Sequence, residues 1–188
     1  MPNQKKGIIP SRDWKKKKYD ESWYPGETLI SAIGQGFVLT NPLQLAVMTS
    51  IIASNGKNVK PNIIKQKNDI EFEKLEKYQN AIKIIKSSMF KVVNDSKGTA
   101  YNSRSASAPF SGKTGTSQVR RITVAERESD DFRKKEVEWK KRDHALFVGY
   151  MPVEKPRYSV SVVIEHGGSG ASTAAPIAKE IFQFTKNL

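Results

Sequence analysis

Two neighbouring stretches in the C-terminal third constrain the fold most. HALFVGYMP (144–152) is apolar on both faces, RYSVSVVIE (157–165) alternates apolar with polar residues, and only the VEKP stretch separates them. A strand buried on both sides followed at once by a half-buried one predicts an antiparallel hairpin. Much of the remaining chain reads as helix. Asn41 and Pro42 supply an N-cap and a proline at the first helical position, Leu43, Leu45, Val47, Met48, Ile51 and Ile52 follow, and Asn55-Gly56 stops the helix. These apolar residues take up most of the circumference, which predicts burial.

A second helix is predicted from about Tyr78 to Val93, with Ile82, Ile85, Met89 and Val92 in one stripe and a turn signal at 94–98. A last helix follows the glycine-rich HGGSGAS, capped by Ser172 or Thr173, with Ile177, Ile181, Phe184 and Leu188 as its stripe. Residues 116–124 alternate weakly and read as a strand. From Ser129 to Arg142 acids precede bases by four residues (Asp130 and Lys134, Asp131 and Lys135, Glu136 and Lys140, Glu138 and Arg142), the pattern of a solvated surface helix. Residues 1–30, punctuated by Pro10, Pro25 and Gly26, read as an ordered irregular segment, and Lys57 to Lys77 as a charged connector.

Composition narrows the function classes. At 188 residues and 37 % hydrophobic content the chain fits one domain with a real core. Without cysteine it has no disulfide, thiolate metal site or cysteine nucleophile. The charge of +13 favours an acidic neighbour, but lysine is spread along the chain without interleaved aromatic residues, which argues against nucleic acid. No apolar run approaches the roughly 18 residues of a membrane span, and MPNQKKGIIPSRDWKKKK has no apolar stretch behind its charge, so neither a span nor a signal peptide is read here. The lysines 15–18 read as part of a solvated loop.

The segment SGKTGTSQV (111–119) admits two chemistries. A phosphate loop requires glycine five positions before Gly112-Lys113-Thr114, where Ser107 stands, and it requires a preceding buried strand, where NSRSASAP stands. The other reading puts Lys113 on a strand edge. Thr114 and Thr116 then share a face at period two, Gly115 leaves backbone room, and the lysine offers a fixed positive charge for a carboxylate. His144 and His166, far apart in sequence and each at a strand end, have no metal-ligand spacing. HGGSGAS lacks the G-x-G-x-x-G pattern, so Gly167 and Gly168 are read as backbone-geometry residues.

With GIIPSRDWKKKKYDESWYPGET (7–28), IGQGFVLTNPLQLA (33–46), GTAYNSRSASAPFSGKTGTSQV (98–119), DHALFVGYMP (143–152) and VVIEHGGSGASTAAPIAKEIF (162–182) in this order, the chain resembles the C-terminal part of the transpeptidase domain of class B penicillin-binding proteins, nearest to the rod-elongation type. The resemblance implies an α/β (α+β) fold of the β-lactamase/transpeptidase kind, an antiparallel sheet with flanking helices, here incomplete. It implies a peptidoglycan D,D-transpeptidase acting through an acyl-serine, with motifs Ser-x-x-Lys, Ser-x-Asn and Lys-Ser/Thr-Gly. Lys113 takes the role of electrostatic partner, and Thr114 and Thr116 that of hydroxyls for the terminal carboxylate of D-Ala-D-Ala or a β-lactam. Gly115 completes the motif, the Thr116 N–H becomes an oxyanion donor, and Ser117 and Gln118 continue along the bound peptide.

The resemblance further implies elongation-machinery membrane proteins as partners, no cofactor or metal, and an inner-membrane anchor with this domain on the periplasmic face. Two stretches satisfy Ser-x-x-Lys, Ser54 to Lys57 and Ser88 to Lys91, but the first straddles a helix end and the second lies mid-helix, out of family order. Ser-x-Asn does not occur. The expectation is a fragment lacking the nucleophile, with exposed apolar surface, an unpaired strand edge and poor solubility. The runner-up is a non-catalytic basic binding module retaining half of the fold.

Overall fold

A computed structural model of the chain describes residues 5–64, 73–120, 128 and 137–186. The chain divides into two compact units, Met1–Gln44 and Leu45–Leu188.

The first unit departs from the irregular segment expected at 1–30. It contains helices α1 (Arg12–Tyr19) and α2 (Pro25–Ala32). Ser11 starts α1 by accepting from the Trp14 N–H at 3.1 Å, and Glu27 folds back on the Tyr24 N–H at 2.7 Å to start α2, with Pro25 preset for a first helical turn. Trp14, Tyr19 and Phe37 cluster with ring centroids 5.4–5.7 Å apart. Lys15 lies within this unit at 1 % exposure, its Nζ 2.7 Å from Glu27, 3.4 Å from Glu21 and 2.8 Å from the Ser22 carbonyl. Burial alone would lower its pKa, and the two carboxylates reverse this, so the net shift is upward.

The next helix, α3 (Pro42–Ala53), starts on an Asn41 cap that accepts from the Gln44 N–H at 2.9 Å and stops at Asn55 and Gly56, both at positive φ. Its expected burial is not reached: only Thr49 and Ala53 are fully buried and Met48 is exposed.

In the second unit, α4 (Gln79–Asn94) buries Ile82, Met89 and Val93. Strands β1 (Ser111–Ser117), β2 (His144–Met151) and β3 (Tyr158–Ile164) form an antiparallel sheet in that order, and α5 (Ala175–Thr185) closes one face. The hairpin stands as expected, with Phe147 opposite Val162. The strand expected at 116–124 lies earlier: only Thr116 and Ser117 belong to β1, 118–120 leave it, and 121–124 fall outside the described residues.

Period two sorts the sheet residues onto two faces. Ala145, Phe147 and Met151 join Val160, Val162 and Ile164 on one, against Phe110, Ala174, Ala175, Ala178 and Phe182. Here the stripe expected on α5 is corrected. Ala175, Ala178 and Phe182 are buried, whereas Ile177, Ile181 and Phe184 are exposed and Leu188 lies outside the described residues. Small alanines let the helix axis approach a sheet carrying a large Phe147, which bulky aliphatic residues in the same places would prevent. Neither Ser172 nor Thr173 caps α5. A π-helical turn, Gly170–Ala174, leads into it, and the Thr173 hydroxyl bonds the Gly167 carbonyl at 2.9 Å.

The surface helix expected over 129–142 falls largely outside the described residues, which resume at Val137. Trp139–Lys141 form a 3₁₀ turn, and Glu138 pairs with Lys141 at 2.9 Å, the i,i+3 partner such a turn brings near. The connector expected at 57–77 is pinned where it is described, through an antiparallel bridge between Lys57 and Lys74.

Candidate active site

Strand β1 carries Lys113-Thr114-Gly115-Thr116 and has a strand neighbour on one side only among the described residues. The register sets Lys113 opposite Val148, Thr114 opposite Phe147, Gly115 opposite Leu146, Thr116 opposite Ala145 and Ser117 opposite His144. Thr114 and Thr116 therefore leave the strand on the α5 face, while Lys113, Gly115 and Ser117 take the other. The lysine nonetheless returns to the margin: its Nζ donates to the Thr114 carbonyl at 2.7 Å and stands 3.5 Å from Thr114 Oγ1. An ammonium and a hydroxyl thus meet at one strand edge although their residues alternate in direction. Lys113, Thr116 and Gln118 are exposed, and Thr114, Gly115 and Ser117 are half-buried.

Two close approaches hold this edge in place. A Cβ on Gly170 would lie 2.4 Å from both the Gly115 and the Leu146 carbonyl oxygens, so the π-helical turn rests directly on the β1–β2 backbone and admits no side chain there. On the other side, a Cβ on Gly98 would lie 2.3 Å from the Val92 carbonyl, and the Ala100 N–H donates to that carbonyl at 2.9 Å. Asn94 links the end of α4 to the start of β1, donating to the Phe110 carbonyl at 3.0 Å. Between Gly98 and Ala100, Thr99 meets Thr114, with Oγ1 to Oγ1 at 3.0 Å.

Residues 1–183 match the family model described as the penicillin binding protein transpeptidase domain. The chain belongs to the penicillin-binding protein transpeptidase family. It is 34 % identical over 193 residues to the peptidoglycan D,D-transpeptidase MrdA of Haemophilus influenzae, covering 95 % of this chain and 29 % of the relative. The MrdA of Acinetobacter baumannii is 30 % identical, with 98 % and 28 % covered. Among solved structures, PBP2 of Helicobacter pylori in complex with MreC superposes with a TM-score of 0.84 at 31 % identity, over 99 % of this chain and 32 % of that one. Pseudomonas aeruginosa PBP2 in complex with WCK 5153 gives 0.73 at 33 % identity, over 98 % and 39 %. The resemblance drawn from the motifs and the mixed fold with an antiparallel sheet are thereby both shown. The chain spans less than a third of the length of these curated relatives.

In both literal Ser-x-x-Lys stretches the serine hydroxyl bonds a helix carbonyl. Ser54 Oγ bonds the Ile51 carbonyl at 3.2 Å in the last turn of α3, and Ser88 Oγ bonds the Ile84 carbonyl at 2.9 Å on the exposed side of α4. Each hydroxyl is engaged by its own helix. The histidines, distant in sequence, meet in space with ring centroids 4.8 Å apart. His144 Nδ1 accepts from the His166 N–H at 2.9 Å, so in the neutral ring its proton sits on Nε2, and His166 Nδ1 lies 3.0 Å from the Arg142 carbonyl. The pair ties the turn after β3 to the start of β2. No group of three or more metal-ligating side chains occurs among the described residues.

Sequence reasoning missed Thr99 and Gly170 as supports of the edge. The small residue in GTA (98–100) and the third glycine of HGGSG were the available signals, but neither reveals which backbone or hydroxyl it will touch.

Proposed function

We propose that the protein to which this chain belongs is a peptidoglycan D,D-transpeptidase of the cell-elongation type, and that these residues form the substrate-holding half of its catalytic domain. The observation that carries the reading is the β1 margin, where the Lys113 ammonium meets the Thr114 hydroxyl while Thr116 stays exposed on the same strand. In this reading Thr114 and Thr116 donate hydrogen bonds to the terminal carboxylate of a D-Ala-D-Ala stem peptide, or to the equivalent carboxylate of a β-lactam. Lys113 supplies fixed positive charge, the Thr116 N–H faces the developing oxyanion, and Ser117 and Gln118 run beside the peptide.

The nucleophile belongs to polypeptide outside these residues, which carries Ser-x-x-Lys and Ser-x-Asn. Its serine oxygen attacks the penultimate D-Ala carbonyl, the C–N bond breaks, and D-alanine leaves with the transferred proton. An amine of a neighbouring stem peptide then attacks the ester carbon and returns the serine, closing the cross-link. The greater length of the relatives supports this division, as does the engagement of Ser54 and Ser88 by their own helices. In the same reading, the whole protein is anchored in the inner membrane with this domain in the periplasm, helps set cell shape, and assembles with membrane proteins of the elongation machinery; the complex of Helicobacter pylori PBP2 with MreC supports a protein partner.

Labelling with a fluorescent penicillin tests it. The isolated chain stays unlabelled, and the longer protein carrying an upstream Ser-x-x-Lys is acylated. Lys113→Ala in that longer protein slows acylation by about a hundredfold or more. An acylated serine within the isolated chain would overturn the division.

A further inference from the structure

Resting on that reading of the β1 margin, we infer that Thr99 is a positioning residue: it donates its hydroxyl proton to Thr114 Oγ1, so that the Thr114 proton is directed to the ligand carboxylate. The argument is one of proton count. A threonine hydroxyl has one proton and accepts through its oxygen lone pairs, while an ionised carboxylate only accepts. When Thr114 donates to a carboxylate, its contact with Thr99 at 3.0 Å persists only if Thr99 is the donor. The Lys113 ammonium, 3.5 Å from the same oxygen, has no acceptor capacity and leaves Thr114 in the same donor role. Hydrogen bonds arranged in series in this way polarise one another and strengthen the last one.

The backbone around Thr99 suits this task. Gly98 rests on the Val92 carbonyl with no room for a side chain, Ala100 is 1 % exposed, and the Tyr101 N–H closes on the Gly98 carbonyl at 3.1 Å. Thr99 itself is exposed, so its hydroxyl is held by neighbouring backbone rather than by burial. Such a residue acts on Thr114, not on overall packing.

The test is a binding titration of the longer protein described under the proposed function, its nucleophilic serine changed to alanine in every variant, with diacetyl-L-Lys-D-Ala-D-Ala and with its C-terminal amide. Thr99→Val weakens binding of the acid by about two- to tenfold, the span of one net hydrogen bond, while Thr99→Ser retains wild-type affinity. The amide, which has no carboxylate to orient, binds Thr99→Val and wild type alike. In a double-mutant cycle, Thr99→Val adds nothing once Thr114 is valine. Equal affinity of Thr99→Val and wild type for the acid, with Thr114→Val still weakened, overturns the inference and leaves the margin reading intact. Equal losses in Thr99→Val and Thr99→Ser, or for acid and amide, overturn it as well. No effect of Thr114→Val, or no binding by that longer protein, overturns the margin reading and the inference together.

Discussion

The two faces of the sheet are built on opposite principles. On the α5 face, Phe147, Phe110 and Phe182 pack with ring centroids 5.0 and 6.1 Å apart about Phe110, and Ala145, Ala174, Ala175 and Ala178 are wholly buried. On the other face, among the described residues, the end at Tyr150 is closed, where Ala53 of α3 and Met89 of α4 meet it. At the other end, Leu146 and Val163 are half-buried beside Gly115. The closed face supplies stability through dense packing. The open one leaves a strand margin reachable, and it is there that the Lys113-Thr114 contact is made. Thr114 and Thr116, rooted on the dense face, gain a rigid base, and the Thr114 hydroxyl meets the Lys113 ammonium at the edge.

The sharpest way to break this comparison is to truncate one residue on each face. Phe147→Ala is expected to cost about 3–5 kcal/mol in denaturant unfolding, as for a buried aromatic, whereas half-buried Leu146→Ala costs about half of that or less. Equal losses would mean that the second face is as closed as the first.

A smaller effect tests the bridge between core and margin. Gly170→Ala puts a methyl 2.4 Å from the Gly115 and Leu146 carbonyls, and the strain is expected to cost about 1–3 kcal/mol. In an amide NMR spectrum, the signals of Gly115 and Leu146 shift most. A spectrum unchanged at β1 would show that the π-helical turn does not hold the margin.

The smallest effect concerns the closed end of the second face and appears only in alkali. Burial raises the Tyr150 phenol above its ordinary 10.0, with the Ser111 hydroxyl working against it and the Glu154 carboxylate with it. Between pH 10.0 and that raised value the unfolded chain has lost a proton that the folded one keeps, so stability falls as pH rises past 10.0. Lys86, which bonds the Ala53 carbonyl at 3.0 Å and Asn55 Oδ1 at 2.7 Å, is lowered by burial against the pull of Glu154. Its sign is opposite: the unfolded chain holds the proton longer, so stability rises with pH up to its ordinary 10.5. Tyr150→Phe should flatten the fall and Lys86→Met the rise in melts taken from pH 8 to pH 11, about the range these groups span. A fall that survives Tyr150→Phe would place its origin elsewhere.

Legibility in the sequence followed how local each signal was. The hairpin at 144–165 was readable because alternation and a short connection are local properties, and α3 and α4 because Asn41-Pro42, Asn55-Gly56 and the stripe through Ile82 and Met89 are local too. Strand β1 was readable only through its motif, since Ser111 to Ser117 contain no apolar residue to alternate and the weak alternation beyond Thr116 pointed too far along the chain. The helices α1 and α2 were hidden by charge and proline, although Ser11 and the Pro25–Glu27 pair were their starts. On α5, hydropathy pointed to Ile177, Ile181 and Phe184, and the structure chose the alanines.

What the sequence determined by itself was the family, through motifs in a specific order, and the residues of the candidate margin, Lys113 to Gln118. Only the tertiary structure decided what supports that margin: the Thr99 hydroxyl against Thr114, the Gly170 backbone against Gly115, and the meeting of His144 with His166. Periodicity and capping act over a few residues and are written in the chain. Contacts between a loop, a turn and a strand distant in sequence depend on how closely backbones approach, and that distance exists only once the sheet and its helices have packed.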